Sequence, residues 1–121
     1  MNIVDLIALL FFSRDYAHRA HLRTKSYAQH KALEGFYETM TEQADKLTET
    51  YQGRFQKLLD IGYMHDEPDA TAPALVLEKY WRMVREMRYK AVPKDETMLQ
   101  NQIDEIEQTF ASAIYKLKFL A

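Results

Sequence analysis

The chain has 121 residues, of which 47% are hydrophobic and 28% charged, and its formal net charge is −2. That length makes one domain, residues 1–121, able to bury a core without metal or disulfide staples. There is no cysteine, which excludes thiolate zinc sites, iron–sulfur clusters, thiol catalysis and disulfides, and the small net charge gives no sign of a polyanion partner.

The most apolar stretch, Met1 to Phe12, contains Asp5 and has neither a basic leader nor a small-residue cleavage site. It is a poor signal peptide and too short to span a bilayer, so a cytoplasmic protein without a membrane partner is expected. The stretch opens a predicted helix from about Ile3 to Arg23. Ile3, Ile7, Leu10, Arg14, Ala17 and His21 follow a helical period there, widened by Leu6 and Phe11.

Ser26 is the expected N-cap of a second helix that continues to about Tyr51, with an extension toward Leu59. Its stripe is Leu33, Phe36 or Tyr37, Met40, Ala44, Leu47, Tyr51, Phe55 and Leu58. A third helix covers about Ala72 to Ala91 through Leu75, Leu77, Tyr80, Trp81, Val84 and Met87 or Arg88, with Pro73 in its first turn. A fourth covers about Glu96 to Leu120 through Leu99, Ile103, Ile106, Phe110, Ile114, Leu117 and Leu120, with Asp95 as the expected N-cap. The fold class is all-α.

The first and last connections are short, so each helix pair is an antiparallel hairpin. The middle one, Gly53 to Thr71, is long. A helix of about 22 residues is roughly 33 Å long, and twelve extended residues reach roughly 40 Å. The connection can therefore run the length of the molecule. A four-helix bundle with one long crossover, the ferritin-like topology, is the expectation, with a simple up-down bundle as the alternative.

The chemistry concentrates between His21 and Glu49. His30, Glu34, Tyr37, Thr41, Asp45 and Glu49 recur at helical spacing and make a mostly polar stripe beside the apolar one. Asp45 and Glu49 are one turn apart, so both carboxylates can reach one cation. His21 and His30 flank the first turn and should face each other across it, forming a metal half-site. Residues 30 and 45 lie roughly 22 Å apart on one helix, at 1.5 Å per residue. The two half-sites of one chain cannot share an ion. Two chains packed antiparallel about a two-fold axis can bring the histidines of one to the carboxylates of the other.

These positions resemble the Dps (miniferritin) family. That pattern has a histidine late in the first helix and another early in the second. An aspartate follows fifteen positions after the second histidine, and a glutamate four beyond it. His21, His30, Asp45 and Glu49 match these positions, and Glu34 resembles the acidic residue one turn after the second histidine. The chain departs from the pattern in a shorter histidine separation and in Leu22, where the family carries tryptophan. Short relatives of this kind resemble bacteriophage proteins, which implies a bacterial or infected-host cytoplasm.

The resemblance implies a ferroxidase. It would oxidise iron(II) with peroxide or oxygen at metal ligands His21, His30, Glu34, Asp45 and Glu49, with no catalytic residue beyond them. Its assembly would be a two-fold dimer or a dodecameric cage that stores iron and protects against oxidative stress. Zinc or manganese suits the same ligands. His21 and His30 come from one chain, Asp45 and Glu49 from its partner, with Glu34 as a further candidate on the partner's side. His18 is a candidate auxiliary ligand.

The rival reading is a non-catalytic ferritin-like bundle that oligomerises and binds a protein, or DNA, through a helix face. The basic row Lys79, Arg82, Arg85 and Arg88 is its DNA candidate. Salt bridges from that row to Glu78, Glu86, Asp104, Glu105 or Glu107 are the preferred expectation.

Overall fold

A computed structural model describes residues 2–69 and 71–121. It contains four helices: α1 (Ile3–Arg23), α2 (Tyr27–Phe55), α3 (Pro73–Ala91) and α4 (Thr97–Phe119). The described residues form no strand. The all-α four-helix expectation therefore holds.

Side-chain caps start α1 and α2. Asn2 and Asp5 form a capping box at the start of α1. The Gln29 amide donates to the Ser26 hydroxyl at the start of α2, as expected. The fourth helix differs from expectation. Glu96, not Asp95, takes the N-cap position, and its side chain does not cap the helix. The Glu96 carboxylate is engaged elsewhere, accepting two hydrogen bonds from Arg54 at 3.0 and 2.7 Å.

That ion pair joins the end of α2 to the start of α4. Further along, Gln102 donates to Thr50 at 3.0 Å and Thr109 donates to Gln43 at 2.9 Å. As positions rise on α4 they fall on α2, so the two helices are antiparallel. Phe12 and Tyr16 of α1 meet the Tyr80 ring edge-on at 5.8 and 6.1 Å. Helix α1 packs on α2 and α3, and α4 packs on the same two. Helices α1 and α4 occupy one diagonal, α2 and α3 the other. The long connection thus returns the chain along the bundle, so that α3 runs parallel to α2.

One apolar core draws on all four helices, with Tyr80, Phe36 and Phe110 its largest fully buried side chains. Phe36 and Phe110 meet edge-to-face at 5.0 Å, a geometry that places the positive ring edge on the negative face. Four expected core residues lie outside, among them Leu120, which sits at the C-cap of α4 and is 58% exposed. Leu58 is 88% exposed because α2 ends at Phe55 and the helical period no longer applies. Leu75 is 62% exposed, since Pro73, Val76 and Leu77 take the inward face of the first turns of α3. Phe11 lies on the rim of its stripe and is 41% exposed. Trp81 is half-buried, with its indole N–H donating to Glu107 at 2.8 Å.

The crossover lies over the α1–α3 groove. Leu59, Ile61 and Met64 pack on the core. Asp66 accepts from the Tyr80 hydroxyl at 2.7 Å and from Lys79 at 3.2 Å. The bond from Tyr80 is the main reason that the Asp66 carboxyl titrates below its ordinary 3.8. A carboxyl lowered on folding stabilises the native state above its unfolded value, and that contribution is lost as pH falls through the folded value. Asp66→Asn should therefore lower the urea midpoint at pH 6, and the gap from the parent should close as the pH falls below 3.8 and through the lower folded value. A gap independent of pH would show that the ionised carboxylate is not the stabilising species.

Helix α2 ends on Gln56 in the left-handed region at φ 55°. A side chain there costs energy that glycine avoids. Gln56→Gly should stabilise by about 1 kcal/mol and raise Tm by about 3–5 °C. A lower Tm would mean that the hydrogen bond from Gln56 Nε2 to the Gly53 carbonyl outweighs the backbone strain.

Candidate metal centre

The link Thr24–Ser26 brings the end of α1 beside the start of α2. The Ser26 amide donates to Thr24 Oγ1 at 3.1 Å, which tightens the turn. His21 and His30 then face each other, with rings stacked at 3.6 Å and 21° between planes. His21 is buried and His30 half-buried.

Each ring hydrogen-bonds to the other residue's backbone. His21 Nδ1 lies 2.7 Å from the His30 carbonyl, and His30 Nδ1 lies 2.9 Å from the His21 carbonyl. A carbonyl oxygen only accepts, so both Nδ1 atoms carry the proton. In its neutral form each ring is thereby held in the tautomer whose Nε2 keeps a free lone pair. This arrangement orients histidine ligands in metal sites, where the second ring nitrogen donates to a carbonyl or carboxylate.

Glu34 completes the group. One ligand atom each from His21, His30 and Glu34 lies within 4.8 Å of the other two. Two imidazole nitrogens and a carboxylate oxygen suit a divalent first-row metal, and so small a donor set leaves coordination positions open. The Glu34 carboxyl is held below the usual carboxylate range, first by a hydrogen bond from Lys31, with His21 and His30 adding to the effect.

Glu34 thus joins its own chain's histidines, whereas the sequence pattern set it with the partner's carboxylates. The signal was present, because His30 and Glu34 are four apart on one helix and share a face. Asp45 and Glu49 lie further along α2 and do not join the group. This agrees with the roughly 22 Å that fifteen helical residues impose.

His18 is not part of the group. Its ring stacks on Tyr37 at 4.3 Å, and Tyr37 meets the His21 ring edge-on at 5.3 Å. Tyr37 therefore supports His21 from the side and holds the His18 ring against its own face, a role that periodicity alone did not indicate. Arg14 lies over the Tyr37 ring at 5.7 Å and donates to Thr41 at 3.1 Å. The basic row on α3 is largely neutralised. Arg88 is buried between Glu107 and Asp104, Arg85 faces Glu107 at 3.7 Å, and Lys79 faces Asp66. The preferred salt-bridge expectation holds for Arg85 and Arg88, so this row carries no DNA-binding argument.

A family model described as a family of unknown function (DUF5856) matches residues 21–117. The chain belongs to this family. The matched span includes all five candidate ligands. A relative from Enterobacteria phage T4, an uncharacterized 14.6 kDa protein in the mobD-ri intergenic region, is 30% identical over 116 residues. The alignment covers 93% of this chain and 85% of that protein. No solved structure matches. The phage relative agrees with the expected viral connection, while the Dps resemblance rests on the residue pattern alone. Among the described residues no helix is long and apolar enough to cross a membrane.

The ring tautomers are directly measurable. Long-range ¹H–¹⁵N correlation spectra of the metal-free chain, at a pH where the rings are neutral, should show the Nδ1–H form for both His21 and His30. An Nε2–H form at either would break the reciprocal pairing.

Proposed function

We propose that this protein binds a divalent metal ion, iron(II) foremost, at His21, His30 and Glu34, and acts as a ferroxidase when two chains pair. The carrying observation is the reciprocal ring-to-carbonyl hydrogen bonding through Nδ1, which leaves Nε2 of both neutral rings free to bind, in a group that also includes the Glu34 carboxylate. A two-histidine, one-carboxylate set with open positions is a donor set of non-haem iron(II). Zinc and manganese are the competing ions.

Iron is the substrate in this reading, giving an electron to peroxide or oxygen. Asp45 and Glu49 of a second chain, packed antiparallel about a two-fold axis, would supply the remaining anionic oxygens. The dimer is the smallest assembly that this requires, and a dodecamer is a further extension of the same reading.

One observation favours a second reading, a non-catalytic interaction module. Leu22 and Tyr27 at the α1–α2 turn, and Phe119 and Leu120 at the end of α4, are 72%, 76%, 73% and 58% exposed. The antiparallel packing brings these segments to the same end of the bundle, where they could meet a protein partner.

Anaerobic titration with iron(II) or cobalt(II), followed by aerobic iron(II) oxidation, separates the readings. The parent chain should bind metal saturably. His30→Ala and Glu34→Gln should each weaken binding by about tenfold or more. Asp45→Ala should leave single-chain binding intact yet abolish oxidation above the buffer blank. Binding no tighter than in a folded His21→Ala/His30→Ala control would overturn the metal reading and leave the interaction module.

A further inference from the structure

Before any metal arrives, Glu34 already has a cationic partner. Lys31 lies one turn before it on α2 and places its ammonium 2.6 Å from Glu34 Oε2. The Lys31 side chain is 52% exposed and that of Glu34 29%. Among the described residues Lys31 is the one side chain that hydrogen-bonds to Glu34. One oxygen of the same carboxylate lies within 4.8 Å of a ring nitrogen of each histidine.

We propose that Lys31 is a specificity-determining residue of this centre, an internal counter-cation that competes with the metal for Glu34. The inference rests on the metal-binding reading above. A divalent ion held by Nε2 of His21 and His30 attracts the carboxylate and repels the ammonium, so the Lys31–Glu34 contact must open as the ion enters. Lys31 is long, flexible and half in solvent, and its ammonium can move to water. While it stays, the centre presents two imidazoles with a pre-engaged carboxylate. Ions that bind imidazole strongly, such as copper(II) and nickel(II), lose little by this. Ions that depend on carboxylate, such as manganese(II), lose more.

A double-mutant cycle on the full chain separates competition for Glu34 from a general repulsion of cations. Cobalt(II) affinity would be measured calorimetrically for the parent, Lys31→Met, Glu34→Gln and the double variant. Methionine keeps the length and helix propensity of lysine without its charge. With Glu34 present, Lys31→Met should tighten binding about two- to fivefold, the span of an exposed ion pair. In the Glu34→Gln background, the same change should have no effect. Equal tightening in both backgrounds would overturn the proposal, making Lys31 a bystander charge. So would unchanged or weaker binding in Lys31→Met. No saturable binding by the parent would remove the metal reading itself, and this inference with it. A second readout is selectivity: Lys31→Met should improve manganese(II) binding by a larger factor than nickel(II) binding, and equal factors would count against the proposal.

Discussion

The paired hydrogen bonds between the rings and carbonyls of His21 and His30 are the constraint on which the rest of the centre depends. The His21 carbonyl lies in the last turn of α1, where carbonyls have no partner within the helix. The His30 ring supplies one. The His21 ring returns the bond to the His30 carbonyl, and the pair fixes how α1 and α2 register across their short turn. One interaction therefore does three things. It satisfies a helix end, stacks two rings at 3.6 Å, and decides which nitrogen of each ring keeps its lone pair. Glu34 then falls into place because it is one helical turn beyond His30 on the same face.

The bundle connectivity determines what stays open around that centre. Because the crossover follows the α1–α3 groove, it covers a different side of α1 from the one that carries His18, Arg14 and their contacts to Tyr37 and Thr41. Tyr37, Thr41 and Asp45 are four apart in succession along α2. They continue the face that begins at the candidate metal centre, and Asp45 and Glu49 at its far end keep access to solvent. A connection lying over the α1–α2 side would have hidden these carboxylates. The long loop thus leaves the α1–α2 face free while tying itself down through Asp66 and Tyr80 on the opposite flank.

Much of this was legible in the residues. Apolar periodicity fixes which face of each helix turns inward, so helix bounds and most of the core followed from it. Ser26 followed from capping chemistry, and the His21–His30 encounter from the brevity of the turn. The misreadings share a cause. Periodicity identifies a face without identifying what covers it, so Leu58 and Leu75 counted as core although the helix had ended or its first turn faced solvent. The α4 cap was misplaced by one residue, and Glu96 at that position serves a tertiary ion pair with Arg54 in place of its own helix. The packing of Tyr37 against two histidines depends on rotamers that no spacing rule contains, whereas the Lys31–Glu34 pair is an i,i+3 neighbour that helix spacing does contain.

Charge counting shows why the two sets of carboxylates would play different parts in the proposed chemistry. Two neutral imidazoles and one carboxylate leave a divalent ion with a net positive charge and a trivalent ion with a larger one. A centre of that kind can hold iron(II) but does little to favour the oxidised ion. Two further carboxylates, from Asp45 and Glu49 of a second chain, would bring the trivalent state close to neutrality, and in a partly desolvated interface that difference strongly favours iron(III). Binding would then belong to the single chain, and oxidation to the pair. The same reasoning explains why a lysine can be tolerated against Glu34. A lone chain has one carboxylate to offer and no metal to balance it, and Lys31 supplies the missing positive charge until an ion replaces it.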